Sequence, residues 1–117
     1  MALKVTAKDI KGVISMHPTP STPDGGDWRQ TKSVDFNTAK NLWNAMIKAG
    51  TSGFALCGTT GENAALLWDE KHDYIKAGVV TINKRAFVFA GATALGTKET
   101  IRQMRELQKL GVDGAFV

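Results

Sequence analysis

The sequence predicts an α/β fold built from repeated strand-helix units with parallel strands. Three observations carry that prediction. Short apolar runs bounded by glycine alternate with longer stretches whose apolar residues recur at helical spacing. Two helix-to-strand passages repeat a pattern: Lys48-Ala49-Gly50-Thr51-Ser52-Gly53-Phe54-Ala55-Leu56 matches Lys109-Leu110-Gly111-Val112-Asp113-Gly114-Ala115-Phe116-Val117 in its lysine, both glycines and its apolar strand. One further helix and strand lie between the copies, so each unit takes about 30 residues, the usual size of a β-α unit. Such repetition implies parallel strands joined by crossover helices, and periodicity alone admits either a doubly wound sheet or a closed barrel.

The elements follow in order. Gly12 to Met16 reads as a first strand, ended by the turn-rich His17-Pro18-Thr19-Pro20-Ser21-Thr22-Pro23-Asp24-Gly25-Gly26. Val34-Asp35-Phe36-Asn37 leads into a helix whose Ala39, Leu42, Trp43, Met46 and Ile47 form one apolar stripe, and Gly50 caps its end. Gly53 to Leu56 is the central strand, a run too short for a helix. Trp68 to Ile82 reads as a second helix, with Trp68, Ile75, Val79 and Ile82 on one side and Asp69, Glu70, Lys71 and Asp73 on the other, its acids favoured by the helix dipole in the first turn. Ala86 to Ala90 is a third strand. The third helix is expected to take Thr97 as N-cap and Ile101, Met104 and Leu107 as its inner face, with Gly111 at its end. Gly114 to Val117 begins a fourth strand. Residues such as Val13, Ala55, Val88 and Phe116, or their alternates, are expected on the inner face of the sheet.

Composition is that of a soluble globular domain: 117 residues, 43% hydrophobic and 22% charged. The net charge of +4 comes from 15 basic residues spread along the chain without a run, which argues against nucleic-acid binding. The single cysteine, Cys57, cannot make an internal disulfide and reads as a small buried hydrophobe. The segment from Met1 to Gly12 has no apolar core of signal-peptide length and no later run approaches a membrane span, so a cytoplasmic protein is expected. Two histidines and one distant cysteine make no metal-ligand set. Neither phosphate-loop motif of nucleotide-binding proteins occurs.

The chemistry is expected where the central strand ends, at Gly58-Thr59-Thr60-Gly61-Glu62. Two hydroxyls between glycines, with backbone N–H groups free to point at an anion, suit a carboxylate or phosphate. Gly58-Thr59-Thr60-Gly61 also spells the Gly-x-x-Gly of a KH module, but KH loops join two helices, whereas this one follows a strand and is succeeded by the acidic Glu62.

That motif after an apolar strand resembles the signature of the dihydrodipicolinate synthase and N-acetylneuraminate lyase family, Schiff-base pyruvate aldolases and lyases on a TIM barrel. The resemblance runs from Lys11 onward, with strand one, the Val-Asp-Phe lead into the first helix, the threonine motif and the Gly-x-x-Gly strand starts in family order. It implies the barrel rather than the doubly wound sheet. A complete barrel takes roughly 250 residues, so the chain resembles the amino-terminal half of one, an incomplete single domain over residues 1–117 with no linker.

The resemblance further implies that Thr59 is the catalytic proton-relay threonine and that Thr60 holds the pyruvate carboxylate, with Gly58, Gly61 and Thr19 in substrate binding. Trp28 and Thr93 are possible pocket residues; Trp28 could equally plug its loop against the first helix. The partner implied is a small 2-keto acid, with no cofactor, no nucleic acid and no membrane, in a homo-oligomer that the family makes a tetramer. The long segment from Pro20 to Val34, with Ala94-Leu95-Gly96-Thr97-Lys98-Glu99 and Ile101-Arg102-Gln103, resembles the hydratase-aldolases that cleave arylidene-pyruvates, such as trans-o-hydroxybenzylidenepyruvate. The alternatives are 4-hydroxy-tetrahydrodipicolinate synthase or another 2-keto acid aldolase, and, from a different class, a non-catalytic half barrel acting only by association.

Two departures matter. Leu67 stands where the family carries a hydroxyl before the second helix, and the family's imine-forming lysine and catalytic tyrosine come from strands beyond Val117. Lys11 and Lys84 precede strands, and Lys40, Lys48, Lys71, Lys76, Lys98 and Lys109 lie on helices, so no lysine here is expected in a desolvated pocket. Tyr74 is expected to pack. His17, without a carboxylate partner, reads as a loop residue, and His72 as solvated.

Overall fold

A computed structural model describes residues 5–117; the first four residues of the amino-terminal segment lie outside the described residues. Strands β1 (Ile14–Met16), β2 (Gly53–Leu56), β3 (Phe87–Gly91) and β4 (Gly114–Phe116) alternate with helices α1 (Phe36–Lys48), α2 (Trp68–Ile82) and α3 (Thr97–Leu110). The strands form one sheet in the order β1-β2-β3-β4, each parallel to its neighbour.

Sequential order separates the two architectures that periodicity left open. A doubly wound sheet reverses its strand order and buries both faces under helices. Here the order never reverses, and one face carries the helices. Ala55 pairs in register with Met16 and Phe89, and Phe54 with Ser15 and Val88. In-register residues of parallel strands share a face, so Phe54, Leu56, Val88 and Ala90 point together into the core with Trp43, Tyr74, Ile75, Ile82 and Leu107. Met16, Ala55, Phe89 and Phe116 share the other face. Among the described residues no helix covers that face: Met16 is 71% exposed, and Phe87, Phe89 and Phe116 are only half-buried. This is the amino-terminal half of a (β/α)8 barrel, with the barrel interior laid open. Of the inner-face expectations, Ala55 and Phe116 hold. Val88 is corrected to the helix face by its register with Phe54, and Val13 precedes β1 and is exposed.

Local chemistry explains the helix ends. Asp35 caps α1, its carboxylate accepting from the Thr38 N–H at 3.0 Å and from the Thr38 hydroxyl at 2.7 Å. At the other end Gly50 takes φ +100°, and the Thr51 N–H reaches back to the Met46 carbonyl, a glycine-dependent stop. Gly111 repeats the left-handed turn at φ +89°. Leu67 before α2 has no capping oxygen. Glu70 makes only the reciprocal contact of a capping box, accepting from the Leu67 N–H at 3.2 Å, and also accepts from the N–H and hydroxyl of Ser33. For α3 the N-cap is Gly96, not Thr97, which is already helical; the expected hydroxyl cap is absent.

Two stripes differ from expectation. The buried face of α2 is Lys71, Tyr74, Ile75, Gly78 and Ile82, so Lys71 belongs to the core side rather than the charged one. The buried residues of α3 are Gln103 and Leu107, whereas Ile101 and Met104 are 43% and 40% exposed. Arg102 faces α2 across the Trp68 ring, 4.6 Å from its centroid. Ile101 and Met104 therefore lie on the opposite, partly exposed flank of α3. Trp43 is fully buried against α2, and truncating such a side chain costs about 3–5 kcal/mol. The segment between β1 and α1 closes on itself as an ear: Ser21 and Val34 form an antiparallel bridge, and the Asp35 N–H donates to the Pro20 carbonyl at 2.9 Å.

Candidate active site

Parallel strands bring every post-strand segment to one rim. Thr19 follows β1, Gly58 to Asn63 follow β2, and Ala92 and Thr93 follow β3, all at the carboxyl ends where a barrel carries its reactive groups. Hydrogen bonds tie the three segments together. The Thr19 hydroxyl donates to the Gly61 carbonyl at 2.8 Å, and the Asn63 side-chain amide donates to the Thr93 carbonyl at 2.9 Å.

The threonine segment is a tight turn closed by its own backbone. The Glu62 N–H donates to the Thr59 carbonyl and the Asn63 N–H to the Gly58 carbonyl, both at 3.1 Å, while Cys57 and Glu62 take left-handed φ of 55° and 60°. The turn stands on Cys57: a Cβ at Gly61 would come within 2.7 Å of the Cys57 nitrogen, so no larger residue fits there. Thr59 and Thr60 are exposed. Their N–H groups have no backbone acceptor among the described residues, which leaves these donors and two hydroxyls on an exposed stretch of the turn. A cavity of about 200 Å³ opens beside them on the bare face of the sheet, lined by Met16, Ala55, Gly58, Thr59, Thr60, Gly61 and Phe116. Apolar floor and polar lip suit a small ligand with one anionic end.

The other predicted residues are dispersed. Thr19 is buried beneath the turn, its hydroxyl proton held by Gly61. Thr93 is exposed on the neighbouring segment and Trp28 is 90% exposed on the ear. Trp28 is thus no plug against α1. Neither it, Thr19 nor Thr93 lines the cavity.

A polar set behind the turn was not expected. His17 is buried and accepts the Trp43 indole N–H at Nε2, 3.1 Å away, with the Tyr74 hydroxyl 3.3 Å from the same atom. An indole only donates, so Nε2 carries no proton, the imidazole is neutral, and Nδ1 holds the hydrogen without a partner among the described residues. Burial holds the imidazole below its usual range. His17 lies in the segment after β1, as expected of a loop residue, but its side chain is buried in the core. Tyr74 packs as expected, and burial raises its phenol. Burial also pushes the Cys57 thiol up to about 12, so it is an inert hydrophobe at neutral pH. His72 is half-buried, its ring tilted at 51° to that of Trp68 with centroids 5.6 Å apart, and so is not the fully solvated residue expected.

The expectation that no lysine is desolvated fails at Lys71, which is 2% exposed and whose ammonium burial holds below the usual lysine range. Its Nζ donates to Asn63 Oδ1 at 2.7 Å and to Gln103 Oε1. The signal was in the sequence: Lys71 stands three and four residues before Tyr74 and Ile75 and so continues their stripe. Among the described residues no group of three or more metal-ligating side chains occurs, and no helix is long and apolar enough to cross a membrane.

Residues 10–117 match the model of the dihydrodipicolinate synthetase family. The trans-O-hydroxybenzylidenepyruvate hydratase-aldolase of Pseudomonas aeruginosa is 46% identical over 114 residues, covering 97% of this chain and 34% of that protein. The 4-hydroxy-tetrahydrodipicolinate synthase of Synechocystis is 34% identical over 116 residues, covering 99% of this chain and 36% of its own length. Among solved structures, PhdJ bound to a substrate intermediate superposes with a TM-score of 0.95 at 41% identity, covering 99% of this chain and 36% of that one. The chain thus spans about a third of the length of these relatives.

Proposed function

The chain belongs to the dihydrodipicolinate synthetase family, and we propose that it forms the amino-terminal part of a cytoplasmic, homo-oligomeric Schiff-base aldolase acting on 2-keto acids. The reaction is that of a hydratase-aldolase: water adds across the alkene of an aryl-substituted benzylidene-pyruvate, and the carbon–carbon bond then breaks to give an aromatic aldehyde and pyruvate. A lysine outside this chain supplies the imine that accepts the electron pair of the breaking bond, so neither cofactor nor metal is needed.

The observation that carries this reading is the threonine turn, with its outward donors beside an apolar cavity at the carboxyl rim. Thr60, with the free N–H groups of the turn, holds the substrate carboxylate by charge-assisted hydrogen bonds. Thr59 stands next to it and passes the proton that leaves and returns during bond cleavage. Gly58 and Gly61 let the substrate approach the backbone. Thr19 supports the turn from below, and Trp28 and Thr93 offer surface toward the aryl end. Preference for an arylidene-pyruvate follows the higher identity to the hydratase-aldolase, 46% against 34% for the synthase. The second reading, 4-hydroxy-tetrahydrodipicolinate synthase, draws on the latter relative.

The test is a paired assay of the full-length protein. Cleavage of a substituted benzylidene-pyruvate is expected to outrun condensation of pyruvate with aspartate semialdehyde, and borohydride with pyruvate is expected to trap a covalent adduct. The reverse preference would select the synthase. Absence of any adduct would remove the aldolase reading, leaving the half barrel as an association module.

A further inference from the structure

The contacts behind the threonine turn converge on one buried ammonium. A lysine ammonium has three donors and no acceptor, so both amides that meet Lys71 must turn their oxygens toward it. Asn63 is thereby left with its nitrogen facing the Thr93 carbonyl at 2.9 Å, and Gln103 with its nitrogen facing the Glu99 carboxylate at 3.0 Å. An amide side chain alone could sit either way round; here the ammonium on one side, and the Thr93 carbonyl and Glu99 carboxylate on the other, fix the orientation of both. The same Asn63 closes the turn through its backbone N–H, which donates to Gly58.

The lysine is an expensive choice for the position. Burying a charge is unfavourable, and an apolar side chain of similar volume would usually fill such a space at no loss. The Glu99 carboxylate is engaged by Arg102 and Gln103 and makes no ion pair with Lys71. What the ammonium achieves is a junction of four elements: α2 through Lys71 itself, α3 through Gln103, the β2–α2 turn through Asn63 and the β3–α3 segment through Thr93. It does not line the cavity.

We propose that Lys71 is a positioning residue of this site, which acts through Asn63 to hold the Thr59-Thr60 turn in register with the Thr93 rim. The inference rests on the aldolase reading for its catalytic consequence and on geometry alone for its mechanical one.

The test compares wild type, Lys71→Met, Lys71→Arg and Asn63→Leu in the full-length protein. Amide exchange at Glu62 and Asn63, whose N–H groups close the turn, is expected to speed up about tenfold in Lys71→Met beyond any change in β2. The pyruvate adduct should still form, while kcat for cleavage falls on the order of 10²-fold as the threonines lose their placement. Lys71→Arg, which keeps donors and charge, should restore part of both. Asn63→Leu cuts the same link from the turn side while leaving Lys71 its contact with Gln103, and should reproduce the exchange change at Glu62 if Lys71→Met does not fold. Unchanged exchange at Glu62 in Asn63→Leu would overturn the proposal, as would a Lys71→Met protein that loses stability with exchange and kcat unaltered. A wild-type protein without a pyruvate adduct would instead sink the aldolase reading, and the exchange comparison would still decide the role of Lys71.

Discussion

The hydroxyl of Thr19 donates to the carbonyl of Gly61 at 2.8 Å inside the protein, joining the segment after β1 to the turn after β2. Both groups are buried, so neither can exchange its partner for water. Thr19→Val keeps the shape and removes the donor, leaving the Gly61 carbonyl unsatisfied. The expected loss is about 1–3 kcal/mol, read by chemical denaturation. A loss within experimental error would mean that the turn relaxes outward to find water.

Thr59 and Thr60 differ in their expected kinetic signatures. In the full-length protein Thr59→Val should lower kcat on the order of 10²-fold with KM little changed, because a proton-relay group acts in the transition state. Thr60→Val should chiefly raise KM for the 2-keto acid, because it removes a carboxylate donor. Steady-state kinetics with a substituted benzylidene-pyruvate check both; full turnover by either variant would make that hydroxyl structural only.

Stability should fall on both sides of neutrality for identifiable reasons. The folded-state pKa of His17 is depressed, so below 6.5 the unfolded chain takes up a proton that the folded chain resists, and stability drops as pH falls. Between about pH 6.5 and 5, above the range where carboxylates titrate, this limb belongs to His17, and His17→Gln should flatten it. On the alkaline side the raised thiol of Cys57 and phenol of Tyr74 keep their protons in the folded state while the unfolded chain releases them, so stability falls as pH rises above 9. Lys71 acts in the opposite sense, since the cost of its buried charge is relieved as pH approaches 10.5. Denaturant midpoints from pH 5 to 11 test the signs, and Cys57→Ala should soften the alkaline limb.

The 117-residue polypeptide by itself should self-associate. The outer edges of β1 and β4 have no strand partner among the described residues, and the bare face exposes Met16 with Phe87, Phe89 and Phe116 half-covered. Unpaired edges beside apolar surface promote pairing with other chains. Size-exclusion chromatography with light scattering should show dimers or larger species; a monodisperse monomer with dispersed amide resonances would show the half barrel to be self-sufficient.

The sequence by itself determined the elements, their order and several of their ends. α2 falls on the predicted residues, Trp68 to Ile82, and Gly50 and Gly111 stop their helices with the left-handed turns that glycine permits. These features depend on residues close in sequence, where spacing and backbone sterics suffice. The turn from Gly58 to Glu62 was legible for the same reason. Tertiary structure alone decided what depends on distant partners. Helical periodicity fits a doubly wound sheet as well as a barrel, and the ladder order with one bare face separates them. Ala55 and Val88 both look like inner-face residues until the register of β2 with β3 sets them on opposite sides. Polar residues mislead most: Lys71 reads as part of a charged helix face and His17 as a loop residue, because the groups that make their burial tolerable come from remote positions. Gln103 and Asn63 hold Lys71, and Trp43 and Tyr74 hold His17. Those pairs exist only once α1, α2 and α3 have packed on one face of the sheet.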